Sequence, residues 1–200
     1  SLLERLLAAR GIDLDSAESY LTPSLDQMHD PEQLPGATEA AGLLVDALRA
    51  EQTIAIYGDY DVDGMTATAI LWHVIKAAAP DADLRSYVPH RLEEGYGLNV
   101  EALQQLYADD VDLVITVDCG ITAVEQVEAV RQMGLGMIIT DHHNLRADGM
   151  LPDADAIVHP GLPGSTYPTT ALCGAVVAFK LAWQFGKAWT GSDRVGPPSG

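Results

Sequence analysis

The sequence predicts an α/β fold in which a parallel sheet carries helices on both faces, preceded by a helical N-terminal extension. Two observations predict it. From Thr53 onwards, short apolar runs alternate with segments of helical periodicity, and this alternation is typical of parallel sheets covered by helices. In addition, acidic residues and histidines directly follow three of the apolar runs, at the strand ends where open α/β sheets place their ligands.

The first fifty residues are predicted to be helical. Residues 2–10 (LLERLLAAR) carry leucines at helical spacing, and residues 37–50 (ATEAAGLLVDALRA) have the pattern of an amphipathic helix. We therefore expect an extension at 1–50, an α/β domain at 51–190, and a linker or truncated edge at 191–200, where Gly, Pro and Ser are frequent.

Strands and helices should alternate through the α/β domain. Strands are expected at 53–57, 84–88, 112–117 and 135–140, and a further apolar run occupies 154–158. Helices are expected at 65–79, 99–107, 123–133 and 171–185. Asn99 and Thr122 are the predicted N-caps of the second and third of these helices.

Composition and charge restrict the possible functions. The chain has 200 residues and a net charge of −18, which by itself argues against a nucleic-acid partner unless bound cations or basic surface elsewhere offset it. No apolar run is long enough to span a bilayer. The two cysteines, Cys119 and Cys173, do not form a CxxC pair. We therefore expect a cytoplasmic protein without a membrane partner.

The first acidic motif, Asp59-Tyr60-Asp61-Val62-Asp63-Gly64, follows a buried strand. Three carboxylates in five residues repel one another, so a neutralising cation is favoured over a plain solvated acidic turn. A calcium loop of the EF-hand type is disfavoured because a strand, not a helix, precedes the motif. The motif therefore predicts divalent metal binding.

Two further motifs follow strands at the same predicted edge. Asp118 precedes Cys119 and Gly120, and taken alone it is as well explained as the N-cap of the next helix. Asp141-His142-His143 is more specific: one imidazole can bind a metal while the second contacts a substrate phosphate or water. Carboxylate and imidazole ligands suit Mg²⁺ or Mn²⁺, and a reaction on a phosphate ester is expected.

Three other residues have competing interpretations. Arg91 lies in the loop after the second strand and can fork onto a phosphate, although pairing with Glu93 or Glu94 explains it equally well. Cys119 is expected to pack in the core, and Gly174 to permit close helix contact without a chemical role.

The motifs DYDVDG, VDCG and DHH, in this order, resemble the DHH phosphoesterase superfamily. Three flanking segments, at 20–36, 88–99 and 173–183 (YLTPSLDQMHDPEQLPG, VPHRLEEGYGLN and CGAVVAFKLAW), are similar to its RecJ branch of single-strand-specific exonucleases. The resemblance covers nearly the whole chain. It implies a Rossmann-like DHH domain that hydrolyses phosphodiester bonds with two Mn²⁺ or Mg²⁺ ions.

The resemblance also implies roles for individual residues. Asp61 and Asp118 would hold one metal, while Asp63, Asp118 and His142 would hold the other. Asp59 would support the first site, where Tyr57 stands in place of a histidine ligand found in some relatives. His143 would face the scissile phosphate. Asp118, His142 and His143 are thus the expected catalytic residues.

The function implied by the resemblance is 5′→3′ exonuclease action on single-stranded DNA in repair and recombination. The family's fourth motif and closing domain do not occur in these 200 residues, so we expect an N-terminal catalytic fragment with weak activity or none. An alternative is a phosphodiesterase for short oligonucleotides or cyclic dinucleotides, or a pyrophosphatase. A non-catalytic nucleic-acid or protein binding module is an alternative of another class, which the intact acids and histidines disfavour.

Overall fold

The computed structural model describes residues 1–24, 27–90 and 97–192. The chain contains two compact units, Ser1–Asp30 and Pro31–Gly200. The first unit consists of α1 (Leu2–Ala8) and α2 (Leu14–Leu21). Asp13 caps α2 by accepting a hydrogen bond from the Ser16 amide at 2.7 Å, which satisfies one of the free donors at that helix end.

The second unit is built on a sheet of five parallel strands in the order β2-β1-β3-β4-β5. Its strands are β1 (Ile54–Tyr57), β2 (Leu84–Tyr87), β3 (Leu113–Val117), β4 (Gly136–Thr140) and β5 (Ala156–Val158). The chain runs outwards in one direction from β1 and in the other from β3. The crevice outside their carboxyl ends is therefore the topological switch point where such sheets bind ligands.

Helices cover both faces of this sheet, as the sequence predicted. A short 3₁₀ helix (Pro31–Gln33) precedes five longer helices: α3 (Ala37–Arg49), α4 (Val62–Ala78), α5 (Val100–Ala108), α6 (Val124–Arg131) and α7 (Gly174–Thr190). On one face, Ile54 and Ile56 of β1 join the buried residues of α3, α4 and α7. On the other face, Ala55 and Tyr57 join those of α5 and α6. Successive strand residues therefore fill two separate cores.

The expected elements are all present among the described residues, with shifts at their ends. The apolar run at 154–158 is a strand, β5. Asn99 caps α5 as predicted, because its side chain accepts a hydrogen bond from the Ala102 amide. The prediction that Thr122 caps α6 is wrong: the N-cap is Ala123, which has no side-chain acceptor.

The compact unit begins earlier than the domain boundary expected from the sequence. The sequence predicts a boundary between residues 50 and 51, whereas the second unit starts at Pro31. The reason is α3, whose Leu44 and Leu48 are buried in the same core as α7 and the sheet. The division into domains at residues 50 and 190 stays a prediction.

Among the described residues, no helix combines the length and the apolar character that crossing a membrane requires. Both cysteines are free thiols, Cys119 buried and Cys173 exposed.

Candidate active site

The turn from β1 into α4 carries two acids at the carboxyl edge of the sheet. Asp61 caps α4, its carboxylate accepting a hydrogen bond from the Gly64 amide at 2.9 Å. Asp59 is buried and accepts a hydrogen bond from the Tyr60 amide at 2.7 Å. A Cβ at Gly64 would lie 2.7 Å from the backbone N and O of Asp59. Only glycine at position 64 therefore lets the helix begin this close to the acids.

Asp63 lies in the first turn of α4 and is held by the N-terminus of α7. Its carboxylate accepts hydrogen bonds from the Gly174 and Ala175 amides, both at 2.7 Å. Partial burial by itself would raise the pKa of Asp63, but these amide hydrogen bonds outweigh it and hold the pKa below its usual range. Asp63 is therefore a fixed anion at neutral pH.

Asp118 follows β3 and is buried, with 1% of its surface exposed. Its φ of 61° lies in the left-handed region, which Asp tolerates better than most residues. Thr116 stabilises this turn by donating its hydroxyl to the Cys119 carbonyl at 2.8 Å. Burial, followed by the charges of Asp63 and Asp61, raises the pKa of Asp118 to about 7.

Asp141 organises the two histidines that follow it at the end of β4. One carboxylate oxygen accepts hydrogen bonds from the His142 and His143 amides and lies 2.7 Å from Nδ1 of the His143 ring. The other oxygen accepts a hydrogen bond from the Ile121 amide. Burial would lower the pKa of His143, but the hydrogen bond and negative charge of Asp141, with the charge of Asp118, raise it. His143 is thus biased towards its cationic form.

His159 follows β5, and its ring contacts the backbone of the loop that carries His142 and His143. The ring is buried, and its Nδ1 accepts a hydrogen bond from the Gly161 amide at 2.9 Å. The opposite nitrogen, Nε2, lies 2.8 Å from the His143 carbonyl. Since Nδ1 is the acceptor, the neutral ring carries its proton on Nε2 and donates it to that carbonyl. Burial lowers the pKa of His159 and favours this neutral form.

The strand ends bring these groups together in two overlapping sets that could hold divalent cations. Asp118, His142 and His143 form one set, and Asp59, Asp61 and Asp118 the other, with the ligand atoms of each set within 4.8 Å of one another. Asp63 belongs to neither set, although its Oδ2 lies 3.6 Å from Nε2 of His142. Asp118 is therefore the group that both sets share.

The donor chemistry fits divalent metal ions. Carboxylate oxygens and imidazole nitrogens are ligands of Mn²⁺ and Mg²⁺. Oδ1 of Asp118 is buried and accepts no hydrogen bond of good geometry from the described residues, although His142 Nε2 is 3.1 Å away. Buried acceptors without a donor are rare in folded proteins, and a cation bound to this oxygen would satisfy it.

Three further residues singled out in the sequence are Tyr57, Cys119 and Arg91. Tyr57 is fully buried in the core, and its hydroxyl donates to the Gly97 carbonyl at 3.2 Å. Cys119 packs in the core as predicted, and burial raises the pKa of its thiol well above its usual value. Arg91, the predicted phosphate contact, lies outside the described residues.

A cavity of about 360 Å³ adjoins His143 on the side of α6. Asp141 and His143 form one wall, Asn144 and Gln126 contribute amides, and Leu98 and Ile121 are apolar, so that the lining is mixed. Its side chains match the make-up of small-molecule sites, in which a few polar groups are set in an apolar wall.

Two residues of the site were not predicted from the sequence. His159 carried a usable signal, because it ends an apolar run at the same edge as the other motifs. Gly174 carried none, since its contact partner Asp63 lies 111 residues away in the chain. Gly174 does permit a close contact, as expected, but the contacting group is the side chain of Asp118: a Cβ at position 174 would lie 2.3 Å from its Oδ1.

Comparison with known proteins gives a family match over most of the chain. Residues 53–194 match the DHH family, N-terminal domain. The single-stranded-DNA-specific exonuclease RecJ of Bacillus subtilis is 42% identical over 182 residues, which are 90% of this chain. The aligned part is 23% of that relative, so the chain spans about a quarter of the length of the relative it matches.

Solved structures of related proteins agree with the sequence comparison. A crystal structure of exonuclease RecJ bound to manganese superposes with a TM-score of 0.67 and 41% identity, covering 78% of this chain and 38% of that one. A structure of RecJ from Thermus thermophilus in complex with Mg²⁺ gives a TM-score of 0.54 and 29% identity, covering 98% of this chain and 24% of that one.

Proposed function

Because the chain belongs to the DHH family and contains its N-terminal domain, we propose that it carries the catalytic acids and histidines of a metal-dependent exonuclease that digests single-stranded DNA from its 5′ end. Relatives named as single-stranded-DNA-specific exonucleases, with identities of 36–43% over most of the chain, support the substrate class. Repair and recombination are the processes in which we propose that it acts, and the cytoplasm is the proposed compartment.

The observation that carries the proposal is the shared position of Asp118. This carboxylate belongs to both candidate metal-binding sets, and one of its oxygens is buried without a hydrogen-bond donor among the described residues. An isolated binding module would not need to keep an acid in such an unfavourable position, whereas a site for two cations would stabilise it.

Mn²⁺ or Mg²⁺ would be held by Asp59, Asp61 and Asp118 on one side and by Asp118 and His142 on the other. We keep Asp63 as a proposed ligand or near neighbour of the second ion, since its Oδ2 lies 3.6 Å from His142. When bound, such ions supply a nucleophilic water at neutral pH and stabilise the charge that develops on phosphate oxygens.

His143 is the residue that we propose contacts the scissile phosphate. Its imidazole is 43% exposed, and Asp141 holds its Nδ1 side at 2.7 Å. Since its raised pKa favours the imidazolium, His143 can donate a hydrogen bond to a phosphate oxygen or a proton to the leaving oxygen. His159 fixes the backbone of the same residue through its carbonyl.

The cavity beside His143 offers room for the nucleotide next to the scissile bond. Its volume of about 360 Å³ lies within the usual range for small-molecule pockets. Leu98 and Ile121 provide apolar surface for a base or sugar, and the amides of Gln126 and Asn144 can either donate or accept. Amides that serve in both roles suit a nuclease that accepts all four bases.

The negative charge of the chain must be offset locally for DNA to bind. A net charge of −18 repels a DNA backbone. Divalent cations at the strand ends would reverse the field where the phosphate must bind. DNA binding by this chain should therefore depend on the metal.

The test is cleavage of a 5′-phosphorylated single strand by the full-length protein in Mn²⁺, with a label at the 3′ end of the strand to report the direction of digestion. Asp118→Ala should reduce cleavage at least about a thousandfold, since it removes a transition-state contribution of several kcal/mol. Asp46→Ala, which removes an exposed charge from α3, should cleave like the parent. Near-normal cleavage by Asp118→Ala, or preference for duplex DNA, would contradict the proposal.

A further inference from the structure

The first turn of α7 touches two acids of the site at once. Its Gly174 and Ala175 amides each donate a hydrogen bond of 2.7 Å to a different oxygen of Asp63. The Cα of Gly174 also faces the side chain of Asp118, where a Cβ would lie 2.3 Å from Oδ1, 2.6 Å from Cγ and 2.7 Å from Cβ. Asp63 and Asp118 come from different strand ends, so α7 is their common neighbour.

These close distances leave no room for adjustment at Asp118. The clash would involve its Cβ and Cγ as well as its carboxylate oxygen, so rotation of the carboxylate alone would not relieve it. The side chain is buried, and its backbone is fixed at φ 61° by the turn that Thr116 supports. A side chain at position 174 must therefore move either Asp118 or the helix.

The helix is equally restricted. Val177, Leu181 and Phe185 of α7 are fully buried in the core that α3 and α4 share. Interiors packed in this way transmit displacements because they contain few voids. Asp63 itself belongs to α4. A shift of α7 would therefore displace the α7 amides that hold the Asp63 carboxylate.

We propose that Gly174 is a positioning residue for the metal site: its missing side chain gives Asp118 its place, and the amides of the α7 turn fix the orientation of Asp63. The proposal rests on the proposed function in so far as it concerns metal affinity. The steric part, which couples position 174 to Asp118, is independent of any reaction. Two separate measurements can therefore distinguish a failure of each.

The first measurement is the Mn²⁺ affinity of the protein, followed by electron paramagnetic resonance of the free ion. Gly174→Ala should bind Mn²⁺ at least about tenfold more weakly than the parent while keeping its helical circular dichroism. Gly42→Ala is the matched control, because Gly42 lies within α3 and a Cβ there meets no atom within 4 Å. Parent-like affinity in Gly174→Ala would overturn the proposal.

The second measurement is a double-mutant cycle on thermal stability without metal. Gly174→Ala should lower Tm in the parent, but not in an Asp118→Gly background, because glycine removes the atoms that the new methyl group would meet and suits the positive φ. An equal loss of Tm in both backgrounds would show that Gly174 serves only general packing. If the parent binds no Mn²⁺, the proposed function fails, and the cycle still decides the steric coupling.

Ala175→Pro provides a second route if Gly174→Ala does not fold. Proline is tolerated in the first turn of a helix, and here it removes the amide that donates to Oδ1 of Asp63. Mn²⁺ affinity should fall severalfold with the fold retained. Unchanged affinity in this variant would contradict the part of the proposal that concerns Asp63.

Discussion

Asp118→Asn should stabilise the metal-free protein while removing its ability to bind metal. The carboxyl of Asp118 is buried, and the charges of Asp63 and Asp61 oppose its ionisation, so that its pKa is raised to about 7. Asparagine has nearly the same shape, carries no charge, and tolerates the left-handed backbone conformation that position 118 requires. The substitution therefore isolates the charge.

The size of the effect follows from the pKa. An unfolded Asp releases its proton near 3.8 and folded Asp118 near 7, and each tenfold change in acidity corresponds to about 1.4 kcal/mol. The difference is at most about 4 kcal/mol, or roughly 8–16 °C in Tm for a protein of this size. Because the folded state keeps the proton longer, the parent loses this stability as the pH rises from about 4 to 7. The stability gap should be small at pH 4 and constant above pH 7.

The assay is calorimetric unfolding of chelator-treated protein at pH 4.5 and pH 8, with and without Mn²⁺. At pH 8 without metal, Asp118→Asn should melt well above the parent. The control Asp46→Asn, at an exposed position on α3, should melt at the same temperature as the parent. Added Mn²⁺ should raise Tm of the parent and of Asp46→Asn, but not of Asp118→Asn. A metal-free Asp118→Asn protein that is no more stable than the parent at pH 8 would refute the electrostatic reasoning.

Three further predictions concern Asp141, Asp61 and Arg91. Asp141→Asn should lower the pKa of His143, measured by NMR titration, because it removes the carboxylate charge beside Nδ1; an unchanged titration would contradict this. Asp61→Ala should destabilise the protein by about 1 kcal/mol through loss of the α4 cap and should also weaken Mn²⁺ binding. Urea unfolding measures the first effect and Mn²⁺ titration the second; if stability and affinity are both unchanged, Asp61 has neither role. Arg91→Ala should weaken binding of a 5′-phosphorylated single strand mainly at low salt. If the variant and the parent bind the strand equally well at both low and high salt, Arg91 makes no phosphate contact.

The strand ends explain why much of the site could be predicted from the sequence. Each of Asp61, Asp118 and His142 follows closely on a short apolar run, and a parallel sheet forces such positions to one edge. The hydrophobic pattern gave the strands and the two-sided cover of helices for the same reason, because residues buried on both faces form continuous apolar runs.

The parts that were missed depend on contacts between distant segments. Asp63 stays a proposed metal ligand, but the sequence did not indicate that its carboxylate is held by the amides of Gly174 and Ala175, more than a hundred residues further along. α6 has its N-cap at Ala123 because a turn precedes it, in which the Ala123 amide donates to the Gly120 carbonyl and which contains the predicted cap Thr122. Side-chain orientation at a strand end is set by tertiary packing, which cannot be predicted from the hydrophobic periodicity of the sequence.

We propose that the acids and histidines beyond β1, β3 and β4 form a site for divalent metal with Asp118 at its centre. Crystals of the protein soaked in Mn²⁺ and measured at the manganese absorption edge test it directly. We expect anomalous peaks roughly 2.0–2.6 Å from oxygens of Asp118, one of them also in contact with the imidazole of His142. Manganese found only at other surface carboxylates, with Asp118 unliganded, would contradict it.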